Sequence, residues 1–260
     1  MIIDANCWCG HWPFRRLEHC GAEGLQVLQE RVGCDLLLVS PLSAPFYRDC
    51  LSAVEEMLCE KGFDRKRMLP VAVINPCFPG WEDDLDVMVR KLGCVAVRLI
   101  PGYHSYSLYS DEVVAAACKA AELGLPLVVT MRMMDERSHH PRMLVPPVSV
   151  EEVRYLLRQV PEGRFVLSHV LYSEVCALRA ELELVAEGVW EISYKPPAFL
   201  VERAIQEFGA ERLLYGSAMP LQYPESILLM VQGADVSPAE KSAILSENAR
   251  RVFRLEGRPW

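Results

Sequence analysis

The chain has 260 residues, of which 51% are hydrophobic and 24% charged, a composition typical of a globular protein that buries a large core. Its formal net charge of −8 argues against a general affinity for nucleic acid or anionic membranes, because both require a basic surface. No apolar run approaches the roughly 18 residues of a membrane-spanning helix, and the opening Met1–Asp4 lacks the basic start of a secretion signal. We therefore expect a cytoplasmic protein with neither nucleic-acid nor membrane partners.

Short apolar segments rich in Val, Ile and Leu recur along the whole chain. Nearly continuous apolar runs are typical of parallel strands that are buried on both faces. In chain order, the predicted strands are Met1–Ala5, Asp35–Ser40, Leu69–Asn75, Cys94–Pro101, Leu125–Arg132, Arg164–Val170, Val189–Tyr194 and Arg212–Ser217.

The segments between these strands carry helix signals. Ser149 with Glu152, and Ser237 with Glu240, have the spacing of capping boxes, which begin helices. Eight strands that alternate with helices, without a linker or a change in composition, predict an α/β fold: a (β/α)₈ TIM barrel, with residues 1–260 as one domain. An open doubly wound sheet is the alternative, but no Gly-x-Gly-x-x-Gly motif follows any strand.

Functional groups of a TIM barrel lie at the carboxyl ends of the strands and in the loops that follow. His169 is the first catalytic candidate, because imidazole titrates near neutral pH and suits acid–base chemistry. Asp135 is the second, with an anchoring salt bridge to Arg137 as the alternative. The candidate substrate-binding residues at these positions are Asn6, Trp8, Arg98, Tyr103, His104, Arg132 and Lys195.

Three of these candidates are cations. Arg98, Arg132 and Lys195 lie at or just past the ends of the predicted fourth, fifth and seventh strands and should converge at the barrel mouth. A small carboxylate or phosphate ligand would supply their counter-charge, since arginine suits two-pronged capture of such groups. The alternative, left open, is internal pairing with the acids Asp4, Asp135 and Glu136.

The segment 133–148 is long for a connection in a compact domain, which is typical of a lid or a binding loop. It contains the adjacent pair His139 and His140. Adjacent side chains usually point apart, so we expect two surface residues rather than two ligands of one metal.

Five stretches resemble the amidohydrolase-2 branch of the amidohydrolase superfamily, a group of metal-dependent hydrolases and decarboxylases. They are Ile2–Ala5, Cys94–Tyr106, Arg164–His169, Arg212–Pro220 and Glu247–Phe253, and they extend over nearly the whole chain.

The resemblance implies a divalent metal held by a His-x-His pair, two further histidines and an aspartate. At these positions the chain carries Asn6, Trp8, Thr130 and Ala218, and only His169 matches. Amide and hydroxyl oxygens are feeble zinc ligands, and the other two side chains offer no ligand atom. We therefore expect a degenerate metal site and no metal cofactor. The alternative is zinc held by histidines from other places, among them His11, His104, His139 and His169.

The expected function is that of a hydrolase, or a decarboxylase-type lyase, that acts without a metal on a small anionic, carboxylate-bearing substrate. The cations would hold the substrate, and His169 would move a proton. Two alternatives stay open: a metal-dependent amidohydrolase with unusual ligands, and a barrel that binds a small ligand without catalysis. The sequence leaves the oligomeric state open and is compatible with a homo-oligomer.

Overall fold

The computed structural model describes residues 1–135, 137, 139 and 144–256. Its strands are β1 (Ile3–Cys9), β2 (Leu36–Pro41), β3 (Met68–Pro70), β4 (Ala72–Val73), β5 (Val97–Leu99), β6 (Leu127–Thr130), β7 (Arg164–Ser168), β8 (Glu187–Glu191) and β9 (Leu213–Leu214). The helices are α1 (Ala22–Arg31), α2 (Cys50–Cys59), α3 (Trp81–Arg90), α4 (Pro101–His104), α5 (Asp111–Glu122), α6 (Val150–Gln159), α7 (Tyr172–Ala177), α8 (Arg179–Leu184), α9 (Leu200–Phe208), α10 (Pro224–Gly233), α11 (Pro238–Ser242) and α12 (Asn248–Val252).

All strand pairs are parallel, in the orders β1-β2-β3 and β4-β5-β6-β7-β8-β9. The strands β3 and β4 are two halves of one barrel strand, separated only by Val71. The backbone N–H of Val71 donates to the carbonyl of Val39 at 2.8 Å, which continues the ladder with β2. Counting these halves together gives eight strands in the described part of the chain, the number that the sequence predicts.

Backbone hydrogen bonds also join β1 to the segment that contains and follows β9. The N–H of Ala5 donates to the carbonyl of Tyr215 at 3.0 Å, and the N–H of Trp8 donates to that of Met219 at 2.9 Å. Because these bonds link the first strand to the last, they close the cylinder. The predicted TIM-barrel fold is confirmed.

Two predicted helix starts have the expected hydrogen bonds. The hydroxyl of Ser149 accepts from the N–H of Glu152, whose carboxylate accepts in return from the N–H of Ser149, and the pair Ser237 and Glu240 repeats this arrangement. Capping of this kind satisfies amide groups that the first helical turn leaves without partners. No helix in the described part of the chain is long and apolar enough to cross a membrane.

The interior of the barrel changes from apolar to polar along the strands. Ala96, Val128, Val166 and Val189 belong to one buried apolar cluster inside the barrel. Side chains two positions further along a strand point to the same face, so the next inward residues lie one layer closer to the carboxyl ends. These residues are Arg98, Thr130, Ser168 and Glu191, and all of them are buried. The alternation of side chains along each strand therefore places a polar layer directly above the apolar core.

Strand β1 contributes to this layer through an irregularity. Its pairing register with β2 shifts between Asp4 and Cys7, where one extra residue enters β1. A bulge of this kind reverses the inward and outward alternation and re-aims the side chains that follow. Ala5 packs inside the barrel and the next residue, Asn6, also faces the interior, where it bonds to Arg98.

Candidate functional site

Arg98 is the cation at the centre of the polar layer. Its side chain is fully buried, its Nη1 donates to Asn6 Oδ1 at 3.0 Å, and its guanidinium lies 4.4 Å from the ring centroid of Trp8. Among the residues that the structure describes, its Nε and Nη2 atoms have no hydrogen-bond partner and no carboxylate forms an ion pair with it. Burial lowers the pKa of Arg98 to about 10, so it stays cationic at neutral pH.

Glu191 is the anion of the same layer, and sequence reasoning missed it. Its Oε1 accepts from Asn6 Nδ2 at 3.1 Å, from Ser168 Oγ at 3.1 Å and from the N–H of His169 at 2.5 Å. Its Oε2 accepts from the N–H of Ser193 at 2.7 Å. The sequence did carry a signal for Glu191, which is an acidic residue inside the predicted apolar strand Val189–Tyr194. A carboxylate buried in such a strand needs several hydrogen-bond donors around it.

His169 follows β7 in the left-handed conformation, with φ of 52°, and is fully buried. Its ring lies edge-on to Tyr194 at a centroid distance of 5.9 Å. Neither ring nitrogen has a hydrogen-bond partner within the described residues. Burial lowers the pKa of His169 to about 4, and the nearby positive charges of Arg98 and Arg132 act in the same direction, against the charge of Glu191. The imidazole is therefore neutral at pH 7 and has both nitrogens available to a ligand.

Arg132 lies at the mouth but already has a counter-charge. Both of its terminal nitrogens donate to the carboxylate of Glu174, one of them at 2.8 Å, and Nη1 also donates to the carbonyl of His169 at 2.8 Å. Sequence reasoning missed Glu174 as well. Glu174 occupies the third position of α7 and accepts from the N–H of Leu171 at 2.8 Å, but leucine has no capping side chain, so the sequence carried no capping-box signal for it.

Lys195 and Asp135 form a second pair, closer to solvent. Lys195 Nζ lies 3.1 Å from Asp135 Oδ2, and Arg137 donates to both oxygens of the same carboxylate. These contacts, first with Arg137 and then with Lys195, hold the pKa of Asp135 well below its usual range. The structure thus gives carboxylate partners to two of the three candidate cations, and it brings Arg98, rather than all three, into the polar layer with His169.

An aromatic cluster covers the mouth. Trp12, Phe14, Phe46 and Tyr103 contact one another with centroid distances of 5.4 to 5.8 Å. Trp12 Nε1 also lies 3.1 Å from the sulfur of Met134. A cavity of about 320 Å³ borders this cluster, lined by Trp12, Phe14, Arg15, Met133, Met134, Asp135, Tyr194, Lys195, Leu221 and Gln222. Of the sequence candidates, Tyr103 therefore belongs to the cover and Lys195 to the cavity wall.

The remaining histidine candidates lie elsewhere. His104 bonds through Nε2 to the carbonyl of Ala44 at 3.0 Å, and burial lowers its pKa. His139 accepts from the N–H of Val145 at 3.5 Å. The candidates Glu136 and His140 lie outside the residues that the structure describes.

Asp4 lies in the same strand as Asn6 and is completely buried. Its Oδ1 accepts from the N–H groups of Asn6 and Ser217, each at 3.0 Å, while its Oδ2 has no partner in the described part of the chain. Burial raises the pKa of Asp4 to about 6 because the charged form is poorly solvated there. The structure gives Asp4 no ion pair with Arg98, Arg132 or Lys195.

Comparison with known proteins gives a family and several solved structures. A family described as Amidohydrolase matches residues 53–255. The sequence matches no curated protein. An uncharacterised TIM-barrel protein from Bordetella bronchiseptica superimposes with a TM-score of 0.76 at 16% identity, covering 99% of each chain. A 2,6-dihydroxybenzoate decarboxylase from Rhizobium gives 0.70 at 15% identity, with 98% of this chain and 99% of that one covered.

A third structure bears on the cofactor. The dihydroxybenzoic acid decarboxylase of a Polaromonas species has a TM-score of 0.68 and 14% identity, over 99% of this chain and 98% of that one, and contains bound manganese and the inhibitor 2-nitroresorcinol. This finding contradicts the expectation of no metal cofactor, which was drawn from the residues at the ligand positions and is wrong. The resemblance to the amidohydrolase-2 branch is confirmed.

Of the residues at the expected ligand positions, His169 is the one that offers a good ligand atom, and Asn6, Trp8, Thr130 and Ala218 do not fit a metal. The oxygen of Asn6 accepts from the cationic Arg98, and the side chains of Trp8 and Ala218 have no ligand oxygen or imidazole. In the ranges that the structure describes, no group of three or more His, Cys, Asp or Glu side chains is placed to hold a metal ion.

Proposed function

Because the chain belongs to the amidohydrolase family, we propose that it is an enzyme of the hydrolase or decarboxylase type that acts on a small carboxylate-bearing substrate. The Rhizobium and Polaromonas structures support this class, since both proteins are decarboxylases of dihydroxybenzoic acids. Within the class, a lyase that removes a carboxyl group from an aromatic acid is the form that these neighbours favour.

One observation carries the proposal: the buried guanidinium of Arg98 has two donors without partners among the described residues. These donors, Nε and Nη2, lie on one edge of the guanidinium and can form two parallel hydrogen bonds with the oxygens of a carboxylate. A buried charge without a counter-ion is costly. A substrate carboxylate would supply both the counter-charge and the missing acceptors.

His169 is the proposed proton-transfer residue. Its neutral imidazole belongs to the same buried layer as Arg98, and both ring nitrogens lack partners within the described ranges. A neutral imidazole can accept a proton, and the imidazolium that forms can return it to another atom of the substrate. Tyr194 packs against this ring and also lines the cavity at the mouth, so it separates the imidazole from the entrance.

A metal-dependent form of the reaction is the second candidate, and the manganese in the Polaromonas structure favours it. Its metal would need ligands other than Asn6, Trp8, Thr130 and Ala218. Lys195 and Asp135 are proposed to act at the entrance, with Asp135 holding Lys195 in place. Because Arg137 pairs with the same carboxylate, the group of three keeps a net positive charge towards an incoming anion.

Calorimetric titration tests the proposed substrate class, with benzoate and 2,6-dihydroxybenzoate as probes and Arg98→Gln as the variant. We expect wild-type protein to bind at least one probe and Arg98→Gln to bind it at least about tenfold more weakly, since a two-pronged charged contact is lost. Arg179→Gln, which removes an exposed cation from α8, is the matched control. Equal affinity in the wild type and Arg98→Gln, or no binding by the wild type, would refute the proposal.

Turnover is then measured as release of carbon dioxide from 2,6-dihydroxybenzoate, with and without added Mn²⁺. Activity that requires Mn²⁺ supports the metal-dependent candidate. Binding without turnover in either condition contradicts the assignment as a decarboxylase of this acid.

A further inference from the structure

A single carboxylate, that of Glu191, joins three strands of the barrel. It accepts from Asn6 on β1, from Ser168 at the end of β7, from the backbone of His169 just after β7, and from Ser193 beyond its own strand β8. All of these residues are buried. With four donors from three elements, the position of this carboxylate is fixed more tightly than that of a side chain held by one contact.

The backbone also makes room for this side chain. A Cβ atom at Gly216, next to β9, would lie 2.9 Å from Glu191 Oε2, 3.0 Å from Glu191 Cβ and 3.1 Å from Asn6 Cβ. A side chain at residue 216 would therefore push against both Glu191 and Asn6, which meet beside this glycine.

Asn6 forms a bridge between the two buried charges of opposite sign. Its Oδ1 accepts from Arg98 Nη1 at 3.0 Å, and its Nδ2 donates to Glu191 Oε1 at 3.1 Å. Only this orientation of the amide satisfies both neighbours, since a guanidinium cannot accept and a carboxylate cannot donate. The bridge lets the anion offset the cation without direct contact, and the Nε and Nη2 edge of Arg98 has no other partner in the described ranges.

The same carboxylate fixes the backbone of His169. The N–H of His169 donates to Glu191 Oε1, and this residue adopts the left-handed conformation that L-amino acids disfavour. A disfavoured conformation persists where surrounding contacts determine it.

From these contacts we propose that Glu191 is a positioning residue: through Asn6 it holds the guanidinium of Arg98, and through a backbone amide it sets the imidazole of His169. One carboxylate then fixes the distance and the angle between the group that binds the substrate carboxylate and the group that transfers the proton. This inference rests on the proposed function, in which Arg98 and His169 are those two groups.

The test compares probe binding and an NMR signal in Glu191→Gln, Asn6→Ala and Gly216→Ala. The probe is 2,6-dihydroxybenzoate, and the signal is the Nε–H cross-peak of Arg98 in ¹⁵N-labelled protein without ligand. We expect roughly tenfold or greater loss of affinity in each variant and a shifted or broadened cross-peak, because small displacements of a binding group weaken it strongly. Glu181→Gln is the control, since Glu181 is another buried glutamate, paired with Arg154 and Arg158 on α6.

The direction of the change in probe affinity in Glu191→Gln distinguishes a positioning role of Glu191 from a purely electrostatic one. If Glu191 acted only through its charge, removing it would strengthen the binding of an anion. Weaker binding therefore supports positioning, and Gly216→Ala should weaken binding although it removes no charge and no hydrogen-bonding side chain.

Two outcomes overturn the inference. If the wild type binds the probe and the variants at 191 and 6 bind it equally well or better, or if the Arg98 cross-peak is unchanged in them, the inference fails and the proposed function stands. If the wild type does not bind the probe, the proposed function fails and this inference fails with it.

Discussion

Arg132 and Glu174 form a two-pronged ion pair beside the barrel mouth, and the same guanidinium donates to the backbone carbonyl of His169. The side chains are 6% and 16% exposed, so the pair lies largely away from solvent. Arg132 therefore holds the chain at His169 with a charge that is already neutralised. Arg98, deeper in the barrel, has no carboxylate in direct contact among the described residues, and the charge of Glu191 acts on it through Asn6.

Breaking the pair between Arg132 and Glu174 should destabilise the protein. We expect Glu174→Gln to lower the free energy of unfolding by about 3 kcal/mol, because it leaves a mostly buried guanidinium without a counter-charge. The double variant Arg132→Met with Glu174→Leu should lower the free energy of unfolding by less, because it leaves no buried charge without a partner. Urea denaturation measures both, and a double variant less stable than Glu174→Gln would contradict the argument.

Occupation of the Arg98 site should raise the melting temperature. A carboxylate at about 100 times its dissociation constant adds about 2.7 kcal/mol to the free energy of unfolding, which corresponds to about 5–10 °C in a chain of this size. The shift should vanish in Arg98→Met, because the two donors that bind the carboxylate are gone. Differential scanning fluorimetry with benzoate checks this, and an equal shift in the variant would place the ligand elsewhere.

Asp4 should make stability depend on pH. The pKa of Asp4 is about 6 in the folded protein, whereas an aspartate in the unfolded chain has the usual value of 3.8. Between these two values the folded protein keeps a proton that the unfolded chain has released. The contribution of Asp4 to stability is therefore greatest below about pH 4 and falls as the pH rises to about 6, by a total on the order of 3 kcal/mol.

Replacement of Asp4 by asparagine isolates this effect. The free energy of unfolding of Asp4→Asn minus that of the wild type should increase between about pH 4 and pH 7, because the variant carries no titrating group at that position. Urea titrations at the two pH values measure the difference. A difference that is the same at both would mean that Asp4 titrates normally.

The pair of Lys195 and Asp135 should contribute little to stability. Lys195 is 44% exposed, and Asp135 keeps Arg137 as a partner when Lys195 is removed. We expect Lys195→Ala to change the free energy of unfolding by less than about 1 kcal/mol, as is usual for exposed pairs. A loss of more than about 2 kcal/mol in urea denaturation would show that this contact supports the barrel mouth.

The fold was predictable from the sequence because apolar periodicity and helix capping are local properties. The strand containing Leu69 and the helix after Ser149 appear where the pattern places them. The pattern also placed Arg98 and His169 towards the carboxyl ends of their strands, where the structure has both of them buried. One predicted strand is interrupted at Val71, a detail of hydrogen bonding that apolar content does not encode.

The partners of these residues were not predictable in the same way. Glu191 and Asn6 are 185 residues apart, and their contact depends on barrel closure and on the small size of Gly216. Glu174 on α7 pairs with Arg132 across 42 residues, so the counter-charge of Arg132 comes from an acid outside the expected set, whereas Asp135 pairs with Lys195 as the internal-pairing alternative allowed. Contacts between distant residues follow from three-dimensional packing, which a one-dimensional pattern does not contain.

The hydrogen bonds that close the barrel also have a consequence for folding during synthesis. Strand β1 pairs with β2 on one side, and its other edge forms backbone hydrogen bonds with Tyr215 and Met219. On the ribosome, that edge stays open until more than 200 further residues have been made, and long-range closure of this kind is slow. An open strand edge can pair with other chains. Asn6 lies in this strand, so the proposed binding site is complete only after the last strand of the barrel has been made.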